Sequence, residues 1–289
     1  MADTSRHVAV LGAASMAGKC LLPLLVEAGW RVTACTRRKP GVLAGGVEWR
    51  QLADLPAAGE ELPYWISLAP VWVLPDYFGL LEILGAKRVV ALSSTSRYTK
   101  GDSADSDEQA VARRISDAEE CVRAWAESRG VEWVILRPTL IYGLGLDRNI
   151  SEIVRFIRRF GFFPLFGRAF GLRQPVHAGD VAHACKAALL APDAANHAYD
   201  ISGGETLTYR EMVARVFAAL GSKPRFVTVP LWSFRLAVAL LRCLPRYRQW
   251  SFAMAERMNR DLVFDHAEAG RDLDFKPRAF VLTQGDLPK

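Results

Sequence analysis

Residues 8–19 read VAVLGAASMAGK. An apolar run ends at Gly12, and helix-forming residues take over after Ser15. Such a strand, glycine turn and helix at the start of a chain place backbone N–H groups and a helix N-terminus where a dinucleotide pyrophosphate can sit. Gly12 supplies the tight turn, and Gly18 lets the helix pack close to the strand. Ser15 stands midway, where a third glycine is expected and the backbone must approach the ligand. Its side chain is small, and its hydroxyl can donate to a phosphate. The loop Gly12, Ala13, Ala14, Ser15, Met16, Ala17 and Gly18 is therefore the candidate cofactor cradle.

The strand expected next, WRVTACTR, ends at Arg37 and Arg38. An acid at that place suits the free ribose hydroxyl of NAD, whereas arginine suits the 2′-phosphate of NADP. NADP is thus the preferred cofactor and NAD the alternative. Three further strands are expected in YWISLAP, RVVALSSTS and VEWVILRP, with helices between them. Strands alternating with helices at this pitch predict an α/β fold with a doubly wound parallel sheet. After Tyr142 glycines, aromatics and arginines crowd together, and a helix-rich tail follows. The expected division is a dinucleotide-binding Rossmann domain at 1–142 and 173–203, and a smaller, mostly helical substrate lobe at 143–172 and 204–289.

The chain has 289 residues, is 51% hydrophobic and carries a net charge of +6. That length suffices for one large domain with a lobe. No cleavable leader is read at the N-terminus, and no apolar run reaches the ~18 residues of a membrane span. The five cysteines are far apart, with no CxxC pair, so a reducing cytoplasm fits. The basic residues are scattered and match no nucleic-acid-binding motif, which leaves a small anionic ligand as the expected partner. His177, Asp180 and His183 have metal-like spacing, but no other ligand cluster supports them, and no metal is expected.

Several segments together resemble the extended short-chain dehydrogenase/reductase family, the NAD-dependent nucleotide-sugar epimerases and dehydratases. They are GAASMAG at 12–18, ADL at 53–55, ISLAP at 66–70, LSSTSRY at 92–98, LRPTLIYGLG at 136–145, FPLFGRAFGLRQPVHAGDVAHA at 163–184, and the closing segments YDISGGETLTYREMV at 199–213 and VFDHAEAGRDLDFKPRAF at 263–280. The resemblance implies that Asp54 and Leu55 meet the adenine. It places Leu68, Ala69 and Pro70 beside the cofactor ribose, and adds Ser93, Pro138 and Thr139 to the cofactor contacts. It implies that Ser94 hydrogen-bonds the reacting sugar oxygen, that Tyr98 lines the sugar pocket, and that Arg173 contacts a substrate pyrophosphate. His177 enters as a substrate contact, although with Asp180 the preferred reading is the start of a helix bracing the two lobes. Dimers built from two helices are usual in such proteins.

One part of the pattern is missing. The family pairs a general-base tyrosine with a lysine four residues later, and the lysine lowers the tyrosine pKa. The residues four places after the seven tyrosines are Leu68, Leu81, Asp102, Leu146, Gly203, Val213 and Ser251. With Glu120 taken as the family's downstream glutamate, Ala112 and Ser116 fall at the two positions. Three readings remain: a substitute base such as Tyr98, assisted by Lys100, Arg113 or Arg114; a cofactor-binding sensor or scaffold without turnover; or hydride transfer with water or substrate moving the proton.

In the second lobe, RNISEIVRFIRRFGFFPLFGRAFGLR interleaves arginines and phenylalanines. Asn149 would open a helix whose amides meet a nucleotide. Arg155, Arg158 and Arg159 share one helical face. They read as a solvated basic face over a phenylalanine core rather than as a phosphate wall. Residues 230–252, PLWSFRLAVALLRCLPRYRQWSF, have tryptophans and arginines around an apolar helix. They suit a membrane surface, but a lid or packing role is preferred.

Overall fold

The computed structural model describes residues 6–36, 46–55, 61–101, 103, 105–230 and 256–289. Arg37 and Arg38, and the apolar helix expected within 230–252 beyond Pro230, lie outside these residues.

The sheet is built as the alternation predicts. Strands β1 (His7–Leu11), β2 (Arg31–Thr36), β3 (Val47–Gln51), β4 (Tyr64–Ser67), β5 (Arg88–Leu92), β6 (Glu132–Pro138) and β11 (His197–Ile201) form one sheet. Their order is β11-β6-β5-β4-β1-β2-β3, and every pairing is parallel. Two edge strands, β3 and β11, join the five read from sequence. The order reverses between β1 and β4, so the loops after these strands diverge and open a crevice at the carboxyl edge.

Both faces of the sheet are covered, as a parallel sheet requires. Helices α1 (Met16–Glu27) and α6 (Ala178–Ala187) bury Leu21, Leu25, Val181 and Cys185 against Val8, Val10 and Val90. Helices α2 (Phe78–Ile83) and α4 (Ser106–Arg129) cover the other face with Leu81, Ile115, Val122 and Ala126. The short α3 (Ser96–Thr99) links β5 to α4. Arg88, nearly buried at the sheet's lower edge, donates to the carbonyls of Ala188 and Ala191 beyond α6 and pairs with Glu132.

A second core collects Tyr142, Ile150, Val154, Leu165, Met212, Phe217, Met258 and Phe280. Its scaffold is α5 (Ile150–Phe160), α7 (Tyr209–Ala219) and the parallel pair β8 (Phe163–Phe166) and β13 (Phe226–Val229). One part of the expected division changes. Helix α8 (Ala267–Leu273) lies within 204–289, but its Ala269 and Leu273, with Phe275, pack into the α1–α6 side of the sheet. Tyr199 of β11 donates to Asp272 at 2.9 Å and ties α8 there. Its apolar stripe is spaced to close the sheet's edge, so the chain returns to the first domain before it ends.

Candidate functional site

The glycine loop follows from steric necessity. Gly12 has φ +74°, a left-handed conformation, and a Cβ there would lie 2.8 Å from the Ala69 nitrogen. A Cβ on Gly18 would lie 2.2 Å from the Ala13 carbonyl oxygen. The β1 and β4 loops therefore touch, and the Leu68 N–H donates to the Leu11 carbonyl at 2.8 Å. Ser15 is the N-cap of α1, its Oγ accepting from the Gly18 N–H at 3.2 Å. The hydroxyl proton remains available to a ligand. A serine in the family's middle glycine position thus organises the helix start and adds no bulk beyond one hydroxymethyl group. Ser15→Ala should cost about 1 kcal/mol through the lost cap, and denaturant unfolding with and without dinucleotide checks it.

Of the other expected cofactor contacts, Ala13 and Ala17 are buried, Ala14 is exposed, and Leu55 is sunk in the core with Asp54 exposed beside it. Pro70 is exposed beside the partly buried Ala69. Ser93 donates to the Glu119 carboxylate at 2.5 Å, so its hydroxyl is committed to α4. The Pro138 carbonyl is taken by the N–H and hydroxyl of Thr95.

A cleft of about 700 Å³ runs between the sheet's carboxyl edge and the second lobe. Met16 of the glycine loop, Ser94 and Thr139 line one side. Asn149 and Arg173 line the other. Sequence reading named these five from four distant segments, and the fold brings them to one space. Ser94 accepts from the Ser96 N–H at 3.1 Å, which fixes its rotamer and leaves its proton free. Asn149 precedes α5, but the helix's first amides are already used. Asp147 accepts from the N–H groups of Ile150 and Ser151 and from the Ser151 hydroxyl. Those amides are not an anion site, because a carboxylate occupies them.

Arg173 is 5% exposed. Its guanidinium donates to the carbonyls of Leu172 and Arg260, at 2.7 and 2.8 Å, and to that of Arg257. Burial pulls its pKa down to about 10, so it stays charged at neutral pH. Lys100 and Arg257 face the same cleft, and Arg257 pairs with Glu108. The lining carries Lys100, Arg148, Arg173 and Arg257 against Asp147 and Glu152, a net positive balance that favours an anion. Arg257, Tyr209 and Phe264 line the cleft without having been expected there. They lie far along the chain from the glycine loop; Tyr209 and Phe264 stand in the two closing segments that resemble the family, but no cleft role was read for them.

Two of the expected catalytic and substrate residues, Tyr98 and His177, do not line this cleft. The Tyr98 oxygen accepts from Arg137 at 2.8 Å, and its ring stacks on Phe264 at 5.9 Å. Burial pushes its pKa above the usual 10, against the pull of Arg137, so the phenol is protonated at neutral pH. His177 caps α6 through Nδ1, accepting from the Gly179 N–H at 3.0 Å, while Nε2 meets Asp286 at 3.2 Å. Both ring nitrogens are engaged, as the bracing reading requires, rather than turned to a substrate. Arg113 and Arg114 lie exposed on the outer face of α4, with Arg114 over the Trp72 ring, and neither assists a base. Ala112 is buried on the inner face.

Behind Ser93 and Tyr98 lies a buried ionic cluster that sequence reading missed. Glu119, 4% exposed, takes two hydrogen bonds from Arg137 Nε at 3.1 Å, one from Arg137 Nη2 at 2.8 Å and a contact from Arg97. Asp200 stands beside Arg137 in the β6–β11 register, and burial raises its pKa. Among the described residues, no group of three or more His, Cys, Asp or Glu could hold a metal. No helix of the described residues is long and apolar enough to cross a membrane.

Residues 78–202 match the model of the NAD dependent epimerase/dehydratase family. A UDP-glucose 4-epimerase of Vibrio cholerae is 27% identical over 138 residues, 48% of this chain and 42% of that protein. Subunit 9 of the NADH dehydrogenase [ubiquinone] 1 alpha subcomplex of Arabidopsis thaliana is 28% identical over 50% of this chain and 39% of its own length. The matched stretch thus spans less than half of either relative. Among solved structures, the UDP-glucuronic acid 4-epimerase of Bacillus cereus, in complex with UDP-glucuronic acid and NAD, superposes with a TM-score of 0.72. It is 13% identical, over 95% of each chain. MoeE5 with UDP-glucose and NAD gives 0.68 at 22% identity, over 95% of this chain and 94% of that one. Residues 78–202 are thus similar to the NAD dependent epimerase/dehydratase family, in a chain whose fold is that of the solved UDP-sugar epimerases.

Proposed function

We propose that this protein is an NAD(P)-dependent, epimerase/dehydratase-like oxidoreductase acting on a nucleotide-diphosphate sugar. The observation that carries the reading is the convergence of Met16, Ser94, Asn149 and Arg173 on one cationic cleft. The residues of the first loop fit a dinucleotide: Gly12 makes the turn, Gly18 permits close packing, and Ser15 keeps a proton for a phosphate. A bound nicotinamide supplies hydride exchange with a sugar carbon. Ser94 would polarise the sugar oxygen from a rotamer already fixed by Ser96. Arg173 would hold the diphosphate through hydrogen bonds in which donor and acceptor are both charged, in place of some of its present bonds to carbonyls. The arginine pair at 37 and 38 supports NADP over NAD.

A second reading, a dinucleotide-binding sensor or scaffold without turnover, draws on a specific observation. Tyr98 is held protonated by its surroundings, and the inner face of α4 offers Ala112 where a base is expected. Titration calorimetry with NAD and NADP, followed by addition of UDP-glucose or UDP-glucuronic acid, separates the two. Binding of a dinucleotide and appearance of the reduced-nicotinamide absorbance supports the enzyme. Binding of both ligands with neither that absorbance nor any conversion of the nucleotide sugar, followed by chromatography, supports the sensor. Failure of both dinucleotides to bind overturns both readings.

A further inference from the structure

The second lobe carries a face that the cleft does not use. Helix α5 carries the exposed Arg155, Arg158, which donates to the Pro288 carbonyl, and Arg159, which lies over the ring of Phe160, and ends at Phe160, itself 51% exposed. The turn after α7 brings exposed Lys223 and Arg225 to the same end, where Arg158 and Gly161 share a shallow hollow with Leu220, Gly221 and Ser222. Phe160 and Phe162 pack on Phe156 at ring distances of 4.6 and 5.7 Å, so the aromatic edge is held rigid. The sequence has no Asp or Glu between Glu152 and Asp180, nor between Glu211 and Glu256. None of these five cations forms an ion pair within the described residues.

Cations at helix C-termini complement the macrodipole, which accounts for Arg158 and Arg159. It does not account for Arg155 in mid-helix, for the exclusion of acids from both segments, or for an exposed phenylalanine at the centre of the charge. On α4 two exposed cations are paired, Arg123 with Glu120 and Arg129 with Glu82. Unpaired cations around an exposed aromatic edge match an anionic lipid surface, where Lys and Arg meet the headgroups and the ring enters the acyl boundary.

We propose that this end of the second lobe docks on an anionic lipid bilayer. The docked helix is α5, whose first residues line the cleft, so the cleft is held close to the membrane plane. The inference does not depend on whether the cleft turns over a sugar.

The test is sedimentation of the purified full chain with vesicles of phosphatidylcholine alone and with about a third phosphatidylglycerol, at low and high salt. Binding is expected only to the anionic vesicles, and salt should release it. R155E/R159E should weaken partitioning by more than tenfold, since each cation near such a surface contributes roughly a fivefold factor. Phe160→Ala should weaken it severalfold. K87E/R113E makes the same charge change on exposed residues of the first domain and should leave binding nearly unchanged. Three results overturn the proposal: no wild-type binding at low salt, equal loss in both double variants, or duplex DNA competing as well as anionic lipid. All variants alter exposed side chains, and circular dichroism verifies their folding.

Discussion

Glu119→Ala is expected to destabilise the protein by about 3–5 kcal/mol, the scale seen when one partner of a buried ion cluster is removed. The carboxylate is 4% exposed, while the Arg97 and Arg137 side chains that meet it are 26% and 16% exposed. Burial acts to pull the Arg137 pKa down, but the hydrogen bonds and charge of Glu119 outweigh it and hold the guanidinium above its ordinary value. Without Glu119, two half-desolvated cations would face each other with only Asp200 beside them. Ser93 would lose its acceptor. Glu119→Gln keeps the shape and one acceptor and should recover part of the loss. Urea unfolding of both variants measures it. A fall below about 1 kcal/mol for the alanine variant would mean that water reaches the two arginines, as at surface pairs.

The sheet was legible in the sequence because its signals are local. Apolar runs of four to seven residues, a glycine turn and proline stops each sit within a short window, and they located β1, β2, β4, β5 and β6. β3 carries Glu48 and Arg50 among its residues and is nowhere fully buried, so its alternation is too polar to announce a strand. β11 was hidden by His197 and Asp200, which belong to an edge. The site was half legible. Gly12, Ser94, Thr139 and Arg173 stand in recognisable segments, and the fold gathers the last three at one cleft. The Glu119 cluster was not legible. It joins α3, α4, β5 and β6 across the sheet, and a single glutamate on a charged helix looks solvated until the fold shows which way it faces. The same holds for Arg257 and Phe264, which enter the cleft from the far end of the chain. His177 is a motif residue that serves the helix it opens, the role preferred for it from the sequence.

Gly18→Ala should be the more damaging change at the cofactor loop, although alanine is the better helix former by about 1 kcal/mol. The added Cβ would lie 2.2 Å from the Ala13 oxygen and 2.6 Å from its carbonyl carbon. Both are backbone atoms, so no rotamer change relieves the contact and the loop itself must move. Overpacking of this kind costs about 1–3 kcal/mol or more, which exceeds the propensity gain. The displaced segment contains Ser15, whose cap on the Gly18 N–H would also be strained. Dinucleotide affinity should therefore fall by at least about tenfold, or 1.4 kcal/mol, together with the unfolding midpoint. Gly79→Ala provides the contrast. It sits in α2 with nothing within 4 Å of the added Cβ and should be neutral or slightly stabilising. Thermal unfolding and NADP or NAD titration on the two variants resolve the question. If Gly18→Ala lowers the midpoint but leaves dinucleotide binding intact, the close approach serves packing alone and the ligand lies elsewhere. If both readouts fall together, the glycine that packs the helix also shapes the cradle.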